Sequence, residues 1–226
     1  MKTADRILLV ARTLFNEQGE RNVTAADIAL ELDMSPGNLY YHFKGKESII
    51  AALYGEMQRD LAGLLSAPLD DPTLFDTADT NHSDNVERSW LFLTVVFEKM
   101  YEYRFVYLNL VDLMQHYPEI DRGMRRLIRL KRAACLAISI DLVADQMRGR
   151  HDPRLVNLAD AMTLNLTWWL SYNQLLHHGG SETSIIHSGV LQILSFCAPY
   201  LERESDFFAE CEQLYARMLA NDASHH

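Results

Sequence analysis

Residues 35–46 read Ser-Pro-Gly-Asn-Leu-Tyr-Tyr-His-Phe-Lys-Gly-Lys, a run of polar, aromatic and basic side chains suited to a nucleic-acid groove. Asn38 and Tyr41 carry short hydrogen-bonding groups that can reach base edges in a major groove. Tyr40, His42, Lys44 and Lys46 suit phosphate and sugar contacts, which set register without reading sequence. Gly37 withholds a side chain near the start of the segment, where backbone N–H groups can approach a phosphate. Leu39 and Phe43 are four residues apart and fall on the packing side. Residues 34–46 contain Lys44, Lys46 and His42 and no carboxylate, so the local field is positive.

No other constellation has comparable chemistry. There is no nucleophile–base spacing, phosphate loop or metal signature, so the expectation is no catalysis, no metal and no cofactor. Cys135, Cys197 and Cys211 lie far apart and match no ligand spacing; they read as reduced thiols of a cytoplasmic protein. His177, His178 and His187 flank a Gly-Gly turn without an acidic or thiol partner at ligand spacing, and read as exposed loop histidines. Arg122, Arg125, Arg126, Arg129, Lys131 and Arg132 form a basic run that reads as a solvated helix face. His225 and His226 close the sequence in the manner of a tag remnant.

The elements that must position these residues are helical throughout. Ile7, Ala11 and Leu14 mark a first helix that Gly19 can end. Thr24 with Asp27 makes an N-cap box ahead of Ile28, Ala29 and Leu32. Ser35 then Pro36 is a second start signal, a cap followed by proline at the first helical position. Two short helices joined across Asp33-Met34-Ser35, with an earlier helix packed over them, make a helix-turn-helix by arrangement. A fourth helix starts near Lys46. Residues 66–84, with two prolines and five aspartates, read as a loop. Further helices are expected near 86–104, 105–116, 119–149, 154–178, 183–202 and 205–221.

Composition agrees and adds one difficulty. At 226 residues and 48% hydrophobic, the chain can build a sizeable core. No apolar run is long enough to span a membrane, and the charged N-terminus is no secretory signal. The formal net charge of −10 argues at face value against a nucleic-acid partner. It is unevenly spread, however. Residues 1–50 carry six basic and seven acidic side chains, whereas Asp60–Glu87 carries seven carboxylates and no Lys or Arg. The acidity belongs to the body of the chain.

Ser35 to Glu47 resembles the recognition-helix signature of the TetR family of bacterial transcriptional repressors. Thr24, Ile28 and Ala29 match the preceding helix of that family, and Ala11, Phe15 and Gly19 its first helix. The resemblance is detailed over roughly residues 5–54. One position departs: the family usually has Gly in the turn and this chain has Asp33, which tolerates a left-handed backbone better than most residues. The resemblance implies an all-α chain, with a helix-turn-helix DNA-binding domain over 1–46 and a helical effector-binding and dimerisation domain over 47–226. DNA contacts are then expected from Thr24, Ser35, Pro36, Gly37, Asn38, Tyr40, Tyr41, His42, Lys44 and Lys46. The implied partners are a palindromic double-stranded operator, a small effector and a second copy of the chain, with no membrane.

The long helices offer hints for the last two. Residues 155–176 and 185–201 are apolar on more than one face and so must bury more than one face. Doubled by symmetry they would form a four-helix seam, with Leu158, Met162, Ile186, Gly189, Val190, Ile193 and Cys197 in it. Large amphipathic side chains suit a mostly apolar effector with one polar handle: Phe97, Tyr101, Phe105, Tyr107, Met114, Met147, Asn165, Trp168, Trp169 and Tyr172. Two alternatives stay open. One is a regulator controlled by a protein partner; the other is an α-helical enzyme whose N-terminal segment is a structural cap.

Overall fold

The computed structural model describes residues 2–66, 82–143, 147, 152–176, 180–201 and 204–223, without the side chains of 82–84 and 218–223. The expected acidic loop, His177, His178, His225 and His226 thus lie essentially outside the described residues. The chain is all-α, and among the described residues there is no strand. Three helices, α1 (Thr3–Gln18), α2 (Ala25–Glu31) and α3 (Pro36–His42), form an N-terminal head, with a 3-10 turn at Glu20–Asn22. Ile7, Ala11, Phe15, Val23, Ile28, Ala29 and Leu39 are fully or almost fully buried and make its core.

Helix α4 (Lys46–Ser66) leaves the head and enters the body. The body continues with α5 (His82–Glu102), α6 (Arg104–Leu108), α7 (Leu110–His116) and α8 (Pro118–Val143). It ends with α9 (Pro153–Leu176), α10 (Glu182–Leu194), a 3-10 turn at Ala198–Tyr200, and α11 (Glu204–Ala223). Helices α8 and α9 pack along their length, α4 lies on α8, and α10 packs between α5 and α9.

The expected single helix over 105–116 is two helices. The backbone at Asn109 (φ −119°, ψ 23°) leaves helical geometry, and Tyr103 (φ −119°, ψ 36°) does the same ahead of α6. The expected helix over 183–202 also stops early: α10 ends at Leu194, and a 3-10 turn containing Pro199 follows. Proline cannot continue the hydrogen-bond ladder, which accounts for the break.

Two glycines allow helices to cross closely. A Cβ on Gly123 of α8 would lie 2.5 Å from the Tyr54 hydroxyl of α4, which donates to the Ile120 carbonyl at 3.2 Å. This crossing is not legible in the sequence, because a lone mid-helix glycine does not name its neighbour. At Gly189 of α10 a Cβ would sit 2.6 Å from Trp169 Nε1 and 2.9 Å from Phe97 Cζ. The Trp169 indole is fixed there by donating to the Ile185 carbonyl at 2.8 Å. Gly189→Ala should therefore cost about 1–3 kcal/mol through overpacking. A lower urea midpoint at unchanged m-value is the expected result; an unshifted midpoint would show that the indole moves aside freely.

Candidate DNA-reading head and its link to the body

Local chemistry sets α2 and α3. The Thr24 amide donates to Asp27 Oδ2 at 2.8 Å and the Asp27 amide donates to Thr24 Oγ1 at 3.2 Å, the reciprocal pair of a capping box. The hydrogen bonds from Thr24 hold the Asp27 carboxyl below its ordinary pKa. Between the helices Asp33 takes φ 52°, the one positive φ of a non-glycine among the described residues. This is the left-handed turn expected there, closed by the Met34 amide donating to the Ala29 carbonyl at 2.9 Å. Ser35 Oγ then accepts from the Asn38 amide at 3.3 Å, and Pro36 occupies the first turn.

Leu39 is fully buried and pins α3 to the head, while Phe43 packs on the same core from a half-buried position. With that side inward, the other side is presented outward. Gly37, Asn38, Tyr40, Tyr41, His42 and Lys44 are all exposed, Tyr41 at 85%. Tyr41 and His42 meet edge to face with ring centroids 5.2 Å apart. At Gly37 a Cβ would find nothing nearer than Ser35 Oγ at 4.0 Å. Packing inside the chain does not require glycine there, whereas a close external surface would.

Lys46 also has a partner inside the chain. Its Nζ donates to the Glu20 carbonyl at 2.8 Å and lies 3.7 Å from the Glu20 carboxylate, itself 5% exposed. The part-exposed ammonium clasps the 3-10 turn to the start of α4, a structural role beside the phosphate contact expected of it. Lys46→Met should lower stability by roughly 1–3 kcal/mol, because it strands a buried carboxylate. Lys44→Ala should leave stability unchanged and reduce the salt slope of DNA binding by about one phosphate per head. Denaturation and a salt-series titration of both variants separate the two roles.

The head is bolted to the body at α6 and α7. Phe15 of α1 packs on Phe105 of α6 with centroids 5.3 Å apart. Asn16 accepts from the Phe105 amide at 3.1 Å and donates to the Glu102 carbonyl at 2.8 Å. Arg12 pairs with Glu102 at 3.3 Å and lies over the Tyr103 ring. Arg21 pairs with Asp112 of α7, whose carboxyl that bond holds below its ordinary pKa. None of these contacts was foreseen, since each depends on which loop meets which helix.

The residues expected in the dimer seam are inside one chain instead. Leu158, Met162, Ile186, Gly189, Val190, Ile193 and Cys197 are all buried by the chain's own helices, so those faces of α9 and α10 are protomer core. The residues expected around an effector divide. Asn165, Trp168, Trp169 and Tyr172 line an outward concavity of about 670 Å³ between α9 and α10, with Leu164, Gln192 and Phe196. Leu164, Trp168 and Tyr172 are 63%, 39% and 54% exposed on one stripe of α9. The other six candidates do not line that concavity. Phe97 packs under Gly189, Phe105 on Phe15, and Tyr107 is buried between helices. Tyr101 is half-buried beneath Arg104, and Met114 and Met147 are partly buried against the core.

Two further expectations are corrected. His187 is buried, stacked on Trp90 at 5.8 Å between centroids, and is no exposed loop residue. Lys131 is fully buried, although the neighbouring basic residues do form the solvated face, as in the Arg125–Asp121 and Arg132–Asp160 pairs. All three cysteines are free and buried, and burial pushes each thiol up to about 12. Among the described residues no group of His, Cys, Asp or Glu could hold a metal, and no helix is long and apolar enough to cross a membrane.

A capped two-helix unit with an exposed aromatic and amide face, carried on an all-helical body, defines a helix-turn-helix regulator. Comparison with known proteins agrees. The family model described as bacterial regulatory proteins, tetR family, matches residues 7–53, and that described as bacterial transcriptional repressor matches 56–206. The chain belongs to the TetR family of transcriptional regulators, which are DNA-binding proteins and not enzymes. It is similar to the regulator QacR of Staphylococcus aureus, 45% identical over 49 residues, 22% of this chain and 26% of that one. It is also similar to the repressor KstR2 of Rhodococcus jostii, 33% identical over 89 residues, 34% of this chain and 44% of that one. Its match thus spans less than half of each of these relatives. A TetR-family regulator structure from Marinobacter aquaeolei superposes with TM-score 0.77 at 30% identity, over 95% of this chain and 99% of that one. Mycobacterium smegmatis AmtR, at 16% identity over 94% of each chain and TM-score 0.58, shares the fold.

Proposed function

We propose that the chain is a repressor that binds a roughly palindromic operator as a homodimer and is released by a small effector held in the body. Residues 1–46 are the head and 47–226 the body in this reading, with α4 as the element common to both. Each α3 enters a major groove, with Asn38 and Tyr41 on base edges and with Tyr40, His42 and Lys44 on the backbone. Thr24, Ser35, Pro36 and Gly37 set the height at which the helix meets the duplex.

The observation that carries the dimer is the outward stripe Leu164, Trp168, Tyr172 and Leu175 of α9, the last 78% exposed. Large apolar side chains exposed in a contiguous stripe mark an interaction surface. The Asn165 side-chain oxygen, buried and unpaired among the described residues, lines the same concavity. A second copy related by a two-fold axis covers both stripes and fixes the spacing of the two heads. Release follows if an effector displaces α6 or α7, because the Phe15–Phe105 and Asn16 contacts tie α1 to that wall. A change in head separation then prevents both heads from docking together.

The test pairs oligomeric state with DNA binding. Leu164→Asp with Trp168→Asp should yield a folded monomer by sedimentation, with at least hundred-fold weaker binding to an operator fragment selected from genomic DNA. A variant that stays dimeric and binds normally overturns the reading. A wild-type chain that is monomeric alone and dimerises only with a protein from the lysate favours the protein-controlled alternative.

A further inference from the structure

Lys131 of α8 is 0% exposed, and its Nζ has no hydrogen-bond partner among the described residues. Burial is the main influence on it; the Cys135 thiol, one helical turn on, is the titratable group that acts back. The ammonium stands 4.7 Å from the centre of the Tyr107 ring on α6. That contact supplies some attraction but no hydrogen-bond acceptor in the ring plane. A buried lysine with no carboxylate is rare in a stable core, since a charge taken out of water is ordinarily paired.

Two more unsatisfied groups lie on the helices that meet here. The Tyr107 hydroxyl is buried and unpaired among the described residues, and so is Thr167 Oγ1 of α9. The register of α8 against α9 sets Thr167 near Lys131. Ser139 Oγ of α8 donates to Met162 Sδ of α9 at 3.3 Å, and one turn back Cys135 faces Thr163 across the interface. In an antiparallel pair, one turn back from Cys135 and one turn on from Thr163 bring Lys131 and Thr167 to the next level. One further turn on, Ser171 Oγ donates to the Tyr107 carbonyl at 2.8 Å and ties α9 to α6. A cation and two hydroxyls, on three helices, therefore share one region of the interior without internal partners. Native interiors leave few such groups unsatisfied, and a cluster of them marks a functional position. Neighbouring buried positions on the same helices, Val106, Leu127, Leu166 and Leu170, are apolar.

We propose that the effector is a monocarboxylate with an apolar body, and that its carboxylate pairs with Lys131 and accepts from the Tyr107 and Thr167 hydroxyls. The proposal rests on the effector reading above and names the chemistry of that site. A carboxylate fits the donor set because it offers two oxygens and accepts without donating. An apolar body fits the surrounding side chains. The site also lies on the route to the head. Tyr107 and Phe105 belong to the same short helix α6, so a ligand seated on Tyr107 acts two residues from the contact with Phe15. Non-helical backbone at Tyr103 and Asn109 bounds that helix and lets it move as a unit.

The experiment uses the whole 226-residue chain and straight-chain and arylalkyl monocarboxylates of four to sixteen carbons, each beside its primary amide. Thermal shift and tryptophan-fluorescence titration read binding. At least one acid should bind saturably and at least ten-fold more tightly than its amide. Lys131→Met should remain folded and lose that ten-fold preference, whereas Tyr107→Phe and Thr167→Val should each weaken the acid about three- to ten-fold. Amides that bind as well as acids, acids that bind Lys131→Met undiminished, or no binding across the series would each overturn the carboxylate proposal. Release of the operator fragment by a neutral compound and by no acid, read by DNA anisotropy, would overturn the carboxylate proposal and leave the effector reading standing. Loss of effector response to every compound class would remove both.

Discussion

Asn38→Ala and Tyr41→Ala should each weaken operator binding by about 1–3 kcal/mol per head. In a symmetric dimer both heads lose the contact, so the total is about 2–6 kcal/mol, or roughly thirty-fold to twenty-thousand-fold in affinity. The loss should be concentrated at particular base pairs, because amide and phenol groups read edges and not phosphates. Folding should be unaffected: Tyr41 is 85% exposed, and the Asn38 contact that matters to α3 is its backbone amide on Ser35. Leu39→Ala is the contrasting control, since it empties a buried position and should unfold the head along with abolishing binding. Anisotropy titration against the operator and its single-base variants checks both points. Wild-type affinity in both Asn38→Ala and Tyr41→Ala would refute the assignment of α3 as the base-reading helix.

The net charge of −10 is compatible with this result because of where it lies. Residues 34–46, which include α3, carry His42, Lys44 and Lys46 and no carboxylate, while the seven acids of Asp60–Glu87 follow later in the sequence. A negative body is repelled by the duplex, so single-headed or misoriented encounters gain little from counterion release. Docking of both heads then has more weight in the affinity, which is what a switch acting through head separation requires.

The head was legible because its determinants are local. A capping box, a cap followed by proline, and a left-handed residue between helices each act within four or five residues, so Thr24, Ser35 and Asp33 could be placed from sequence. The body was legible only as helices. Leu158, Met162 and Leu166 lie on one face of α9, and Leu164, Trp168 and Tyr172 on another. Both stripes are apolar at helical spacing, and periodicity carries no information on which one meets the same chain. The seam is therefore expected on a face that the chain's own helices cover. The clasp of Lys46 on Glu20 is not legible for a related reason, since that partner is 26 residues away in the sequence. Lys131 did leave a signal. It stands four residues from Leu127 and four from Cys135, on the buried stripe of α8 and not among the arginines that surround it in sequence.

Lys131→Met should stabilise the ligand-free protein at neutral pH by roughly 1–4 kcal/mol, the range known for buried ion pairs replaced by apolar residues of similar size. Burial lowers the Lys131 pKa from 10.5 to about 7, so the folded chain binds fewer protons than the unfolded chain between those values. The sign follows from linkage: stability rises with pH wherever the unfolded state holds more protons. Wild-type stability should therefore climb from about pH 7 towards pH 10, relative to Lys131→Met, and the gap should be widest and constant below about pH 7. The Cys135 thiol and the Tyr54 and Tyr107 hydroxyls, all raised by burial, are present in both proteins and largely cancel in the comparison. Urea midpoints from pH 6 to pH 9.5 give the difference directly. A pH-independent gap would mean that Lys131 is already paired in solution, and a destabilised Lys131→Met would mean that its ammonium holds the helices together. Either result would remove the unsatisfied cation from the interior. The expected result instead leaves a site that is costly when empty, which is the property a ligand-gated helix interface needs: the anion that satisfies Lys131 stabilises whichever arrangement of α6 admits it.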